Sequence, residues 1–392
     1  MKILYIGAFR LPNYDAAAAR VLNIARALRA AGHDVSFISW GGLQRDDDLL
    51  PDGSWSVDGF HYVVTNELPQ PGDSFWVRLK NRINRGSETK KILREWPGHI
   101  DVIITYDSSL CHWLVPFCEK RGIKLVNDLI EWYSYNEIKP FDWLSYAYEM
   151  HFFQKKVKNK IVISSYLDNY YKSTHNIVVP ATCDSSEPKW ITNIDYADAL
   201  VPPFRGITLI YAGNPAKKDA VHKVINAVNN LANEGALIRF LILGITKEKY
   251  IERYRALLKD ENLSNAILFL GSVSQDVIPS FYHHADFMIL LRENSRMSNA
   301  GFPTKFAESF TSGTPVIANL TSDLGLYLID KKTGFVVDEP TEAAIYSLLK
   351  ETVLKLSRNE VDEMKEHVRK ESTRLDYHAW INSLGDFFEH LK

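Results

Sequence analysis

The sequence has little cysteine: Cys111, Cys118 and Cys183 are the only three in 392 residues. An odd number without metal-type spacing excludes a disulfide framework and a zinc ribbon, and it suits a reducing compartment, so the cytoplasm is expected. No run of about 20 apolar residues occurs, so no membrane span is expected. The apolar opening MKILYIGAF is too short for a signal-peptide core. An excess of one charge is also missing: the net charge of −2 gives no global electrostatic basis for binding nucleic acid. Solenoid repeats and glutamine, proline or serine tracts are absent, which sets aside tandem arrays and low-complexity segments. What is present is 46% hydrophobic residues with nine Trp and 19 Tyr, the composition of a chain that folds around large cores, and the length predicts two domains.

The first forty residues read as strand, loop, helix, strand: Lys2–Gly7, a helix over Ala16–Ala31 ended by Gly32, then Asp34–Trp40. Further strands are predicted at His61–Thr65, Asp101–Tyr106, Ile123–Asn127, Ile161–Ser164 and Ile177–Pro180, with helices including Leu110–Arg121 and Phe141–Lys158 between them. A second series runs from Ile207–Ala212 through Arg239–Gly244, Ala266–Gly271, Phe287–Leu291 and Pro315–Asn319 to Gly334–Val337, with helices such as Ala220–Ala232 and Ile278–His284. Alternation of this kind predicts two doubly wound parallel sheets, an α/β class. Ala181–Phe204, with Pro188, Pro202 and Pro203 and no periodicity, reads as the connector, giving domains over 1–200 and 205–375. Ligands of open α/β sheets bind outside the strand C-termini, so a cleft lined by both sets of loops is the expected active site.

The loop after the first strand, Gly7-Ala8-Phe9-Arg10-Leu11-Pro12, lacks the GxGxxG spacing of dinucleotide binding. The following DAAAARVLNIARAL sets four alanines and Arg20 near a helix N-terminus. That arrangement suits an anion or close packing on the sheet, and both readings stay open. In the second series, YAGNPAKKDAVHKVINAV places Gly213, Asn214, Lys217 and Lys218 ahead of a helix starting near Asp219. Lysine at a helix start is disfavoured by the dipole unless an anion is present, although solvated lysines also occur there. In NAGFPTKFAESFTSGTPVIANL, residues 299–320, Lys305 and Glu308 fall three apart on one helix face. They can form a surface ion pair, or point the ammonium to a diphosphate and the carboxylate to a sugar diol. No DxD-like metal pair occurs in a suitable loop; Asp46, Asp47 and Asp48 lie in a polar loop, so no metal is expected.

YAGNPAKKD, NAILFLGSVSQDVIPSFYHHAD and GFPTKFAESFTSGTPVIAN, in this order, resemble the C-terminal half of GT-B glycosyltransferases of family GT4. MKILYIGAF, GHDVSFISW and IVISSYLDNYYKSTHNIVVPATCD resemble the N-terminal half and its end, and the PTK turn resembles a polysaccharide-assembly branch. The resemblance implies a retaining hexosyltransferase with two Rossmann-like domains facing across a cleft. The N-terminal one would take the acceptor and the C-terminal one a UDP- or GDP-sugar, with no obligatory cofactor. The segment 376–392 would cross back onto the first domain.

Carried over residue by residue, Lys218 matches the phosphate lysine, Glu308 the ribose-binding second glutamate, and Gly271-Ser272-Val273 the loop beside the base. The family's first glutamate falls on Ala300, a departure whose place would be taken by backbone N–H groups of Gly301, Phe302, Pro303 and Thr304 and by Lys305, or by Arg292 or Arg296. Lys218 and Lys305 would stabilise the departing diphosphate. On the acceptor side Asp107 and Asp128 are the candidate catalytic carboxylates, with Glu131 beside them, while Asp107 also suits a helix cap and His112 a structural role.

Residues 78–96 carry seven Lys or Arg against two Glu, with Phe75 and Trp76 just upstream, which predicts either a solvated helix face or contact with an anionic membrane where a lipid-linked acceptor would be found. A GT-B nucleotide-sugar epimerase and a catalytically silent sugar-nucleotide binder are the competing readings.

Overall fold

The computed structural model describes residues 1–12, 15–41, 55–68, 72–74, 76, 77, 84, 86–106, 111–192, 195–216 and 218–392. The chain forms two compact units, residues 1–182 with 377–392, and residues 183–376.

In the first unit eight strands form one sheet: β1 (Lys2–Gly7), β2 (Asp34–Ser39), β3 (Trp55–Val57), β4 (Phe60–Val64), β5 (Val102–Thr105), β6 (Lys124–Leu129), β7 (Asn159–Val162) and β8 (His175–Val178). Their order is β3-β4-β2-β1-β5-β6-β7-β8, with every neighbour parallel except the β3–β4 pair. Ile6 stands level with Ile38 on one side and Thr105 on the other, so the strand C-termini form one rim. The helix Ala16–Ala30 starts where the Asp15 carboxylate accepts the Ala18 N–H at 2.8 Å. It ends as Gly32 takes φ +88°. Its buried face, including Val21, Ile24, Ala25 and Leu28, packs with Tyr5 and Phe37 of the sheet and with Leu384, Phe387 and Phe388. These last three come from the helix Ile381–Glu389, which returns to this unit.

The second unit has six parallel strands, β9 (Ile207–Ala212), β10 (Ile238–Leu243), β11 (Ile267–Gly271), β12 (Phe287–Leu290), β13 (Val316–Ala318) and β14 (Gly334–Val336), ordered β11-β10-β9-β12-β13-β14. Chain order reverses between β9 and β12, and that reversal opens the crevice in which doubly wound sheets bind ligands. All residues of β9 and β10 are buried, because helices cover both faces of a parallel sheet.

Two expectations change. The antiparallel β3, only three residues long, is too short to be read from its pattern. The segment Ala181–Phe204 is not a connector between the units, and the first unit does not run on to residue 200. From Cys183 onward it belongs to the second unit, where Trp190, Ala197 and Val201 are buried, the Trp190 indole donates to the Asp184 carbonyl at 2.7 Å, and Tyr196 meets Phe281 edge to face. Three buried side chains spread over a dozen residues leave no periodicity to read. Among the described residues no helix is long and apolar enough to cross a membrane.

Phe388 is fully buried between the two helices. Phe388→Ala is therefore expected to cost the first unit about 3–5 kcal/mol, read as a lowered urea midpoint; an unmoved midpoint would place Phe388 outside that core.

Candidate functional site

The loop that leaves β9 is stitched to the chain that leaves β12. Ala220 N–H donates to the Leu291 carbonyl at 2.8 Å, and Asp219 and Arg292 form an antiparallel bridge. This closure puts the Asp219 carboxylate in the crevice between the two strands. It accepts from Tyr211 Oη at 2.6 Å and from Arg292 Nε at 3.1 Å, and Lys305 Nζ stands 3.7 Å away. Arg292 is fixed from behind, its main-chain N–H and carbonyl both bonded to the Asn319 amide at 2.8 Å.

Lys305 enters from the helix Thr304–Thr311, and its ammonium lies 5.1 Å from the Tyr211 ring centre. Its stem crosses Gly213, where a Cβ would sit 2.6 Å from Lys305 Cε; Gly213, at φ +125°, is the residue that leaves this path open. Gly244 continues the rim at the end of β10: it donates to the Gly271 carbonyl at 2.6 Å, and a Cβ there would press on the backbone of Gly213 at 2.4 Å.

Burial works against charge on both Asp219 and Lys305. For Asp219 it is outweighed by the Lys305 and Arg292 cations and the Tyr211 hydroxyl, which hold the carboxyl below its ordinary range. For Lys305 it is not outweighed: burial lowers the ammonium below its usual value although Asp219 supports it. Lys218, half-buried in the same loop, adds its charge to the field at both groups. Glu308 lies one turn beyond Lys305. Burial pushes its carboxyl up, and Tyr282 Oη is its neighbour at 3.5 Å. Lys305 pairs with Asp219 and not with Glu308, so the surface ion-pair reading of this helix is set aside.

The structure therefore brings together Gly213, Lys218, Arg292 and Lys305, with Glu308 adjoining. Asn214 is exposed, its carbonyl oxygen accepting from Arg253 at 2.9 Å. Gly271 ends β11 at φ +65°, followed by exposed Ser272 and half-buried Val273. Phe302 is buried edge to face against Phe306 and Tyr327, so only its backbone is available. Pro303 has no N–H to offer, which removes one of the four expected donors. Pro303 gives no side-chain cap, and the first N–H groups of the helix, at Thr304 and Lys305, have no intrahelical acceptor. Ala300 is fully buried, so no carboxylate faces the site from that position. Lys217 lies outside the described residues.

On the first sheet the expectations need correction. Asp128 is 1% exposed and Arg20 5%. Arg20 grips both Asp128 oxygens, at 2.7 Å from Nη2 and 3.0 Å from Nε, and Tyr5 Oη donates to Oδ2 at 2.5 Å. Arg20 Nη1 also donates to the carbonyls of Val179 and Pro180, at 2.9 and 3.0 Å. A carboxylate so enclosed is an anchor between strands and helix, not an acceptor base, and Arg20 is not held ready for an anion. Glu131 accepts from the Tyr133 hydroxyl. His112 stacks on Phe153 at 3.7 Å and pairs with Glu149, a structural role. Asp107 and Asp46–Asp48 lie outside the described residues.

Sequence reasoning missed Asp219, Tyr211, Gly244 and Tyr282. The signal for Asp219 was the acid closing a Lys-Lys pair at a strand-to-helix loop. Tyr211 lay hidden in an apolar run.

Residues 199–373 match the family described as glycosyl transferases group 1. WcaL of Escherichia coli strain K12, named as a glycosyltransferase of colanic acid biosynthesis, is 22% identical over 176 residues, 45% of this chain and 42% of that protein, so the match spans under half of the curated relative's length. Among solved structures, sucrose-phosphate synthase from Thermosynechococcus elongatus superposes with a TM-score of 0.77 at 14% identity, over 99% of this chain and 98% of that one. Anabaena HepE in complex with UDP-glucose gives 0.69 at 14%, over 99% of each chain. The architecture is the GT-B fold.

Two outcomes follow from the burial of these carboxylates. Asp128→Asn leaves Arg20 buried without its counter-charge and is expected to cost about 3–5 kcal/mol of stability, with turnover per folded molecule nearly unchanged. A loss of about 10²–10⁴ in turnover at full folding would instead make Asp128 a base. For Glu308, whose folded value lies above its unfolded one, the folded state holds the proton more tightly, so stability falls as pH rises through that window. Glu308→Gln is then expected to raise Tm at pH 7, by up to about 4 °C, a gain that vanishes below about pH 4. A Tm unchanged or lowered at pH 7 would contradict the burial argument.

Proposed function

We propose, with the second domain as a glycosyl transferases group 1 member on a GT-B fold as the premise, that this chain moves a sugar with retention of configuration. The donor is a nucleoside-diphosphate sugar, UDP- or GDP-linked, and the acceptor a glycan or lipid-linked glycan in surface polysaccharide assembly. The observation that carries this is Lys305 folded over Gly213 beside Arg292, at the crevice where the second sheet reverses order.

Breaking the glycosyl–phosphate bond builds negative charge on the β-phosphate. Lys305, Lys218 and Arg292 offset that charge, and the N–H groups of Thr304 and Lys305, without an intrahelical acceptor, add helix-end donors. Glu308 accepts hydrogen bonds from the ribose diol, while Asn214 and the Gly271-Ser272-Val273 loop flank the nucleotide. The departing phosphate takes the proton of the acceptor on the same face. HepE, whose structure was solved with UDP-glucose, supports a donor of this class. WcaL supports the polysaccharide setting. Contact with an anionic membrane through residues 78–96 is part of the same proposal; of that segment only residues 84 and 86–96 are described.

The buried methyl at Ala300 favours a second reading, nucleotide-sugar binding without turnover. One experiment decides between them. In a thermal-shift screen of nucleotide sugars, the cognate donor at 100 times its Kd is expected to add about 2.7 kcal/mol, and Lys305→Gln to abolish the shift. Proton NMR of the anomeric centre is then expected to show retained configuration in the product. A shift without product on any acceptor supports silent binding; no shift with any donor overturns both.

A further inference from the structure

After β6 the chain runs through short turns at Tyr135–Glu137 and Pro140–Asp142 into a continuous helical stretch, Trp143–Tyr148, Glu149–Phe153 and Gln154–Lys156. Leu144, Tyr148 and Phe152 recur every four residues, so they share one face. They are 71%, 49% and 65% exposed. The opposite face buries Glu149, Met150, Phe153 and Gln154, where Asn127 donates to the Gln154 carbonyl oxygen at 2.7 Å and Gln154 donates to Glu149 at 2.7 Å. A helix of a water-facing domain ordinarily keeps its exposed face polar.

The exposed patch is extended at its N-terminal end by Tyr135 and Trp143, whose rings lie 5.3 Å apart and which are 43% and 40% exposed. Exposed lysines flank it: Lys139 at one end, Lys155, Lys156 and Lys158 at the other. Contiguous exposed apolar surface of this kind marks an interaction site.

Leu144 and Phe152 carry no polar atom to satisfy a sugar, which argues against a glycan as the occupant. Apolar side chains in the middle, Trp and Tyr rings with polar tips beside them, and lysines at both ends make up an element that lies in the plane of a bilayer interface. The lysines complement anionic headgroups, and their stems can lie along the apolar surface while the ammonium groups meet phosphate. We propose that the stripe Leu144, Tyr148, Phe152 docks this unit on an anionic lipid surface, with Lys139, Lys155 and Lys156 meeting the headgroups. The inference adds this stripe to the membrane contact proposed through residues 78–96. It rests on the glycosyltransferase reading only in that a lipid-linked acceptor would be found at such a surface.

The test is sedimentation of the full chain with vesicles of phosphatidylcholine, with and without phosphatidylglycerol. The parent is expected to partition onto the anionic vesicles and less onto neutral ones, with binding falling as salt rises. The triple variant Leu144→Ser, Tyr148→Ser, Phe152→Ser is expected to lose about tenfold of that partition. Lys155→Gln with Lys156→Gln is expected to weaken only the anionic arm. Nucleoside-diphosphate binding, read separately, should be unchanged in both. Vesicle binding equal in parent and triple variant, or none by the parent, overturns the proposal. So does a concentration-dependent dimer that the triple variant abolishes, since the stripe would then face a second copy. Vesicle binding as expected with no nucleotide-sugar shift upholds the stripe and leaves only the transfer reading fallen.

Discussion

The second unit depends on one electrostatic arrangement: two cations from different loops held beside a single buried carboxylate at the point where the sheet changes direction. Arg292 reaches it from the end of β12, Lys305 from the helix after the Gly301–Pro303 turn, and Asp219 from the loop after β9. At about 4 Å and an effective dielectric near 20, one such attraction is worth about 4 kcal/mol before the cost of desolvation, and it partly offsets the burial of the Lys305 ammonium. Without Asp219 the two positive groups would repel each other in a partly dry crevice and swing out to water. The glycine rim follows from the same demand, since a Cβ at Gly213 would occupy the path of the Lys305 stem.

The two sheets treat a cation at their ligand edge in opposite ways. In the first, Arg20 is consumed: both Asp128 oxygens, the Tyr5 hydroxyl and two main-chain carbonyls close its site, so the pair fixes the helix Ala16–Ala30 to β6 and to the segment after β8. In the second, Lys305 is held at 3.7 Å, by charge and not by a hydrogen bond, so its N–H groups are not committed to Asp219. Closure makes the first arrangement a structural anchor. Openness keeps the second available to an incoming anion.

The parallel strands were legible because strands buried on both faces read as unbroken apolar runs, as in ITLIYA and IRFLIL. That the second sheet is parallel followed from the alternation of strands and helices; the order of its strands did not. Lys305 and Glu308 were legible from their spacing on one helix. What a single sequence could not carry was which charged partners meet: Asp219 with Lys305 spans 86 positions and Asp128 with Arg20 spans 108, and the local pattern around Asp128 is the same for a buried anchor as for a base. The exposed apolar stripe of the helical stretch after β6 was hidden for a related reason. Apolar residues at a spacing of four read as core until the structure shows which face the sheet has taken.

Glu308 carries an incompletely compensated electrostatic cost in the crevice. Its carboxyl is raised by burial, with one tyrosine hydroxyl at 3.5 Å and two lysine charges, those of Lys189 and Lys305, only partly compensating. A residue chosen for stability alone at that place would be neutral. A charged group held in a site that does not fully satisfy it leaves acceptor capacity for a partner outside the chain, and a pair of vicinal hydroxyls is such a partner. Read with the open ammonium one turn earlier, the helix Thr304–Thr311 presents one group that seeks an anion and one that seeks donors. The i, i+3 rise of about 4.5 Å sets their separation along the axis. A ligand that meets both must carry negative charge and hydroxyl groups within one short span, and a nucleoside diphosphate, with its pyrophosphate and ribose, carries both.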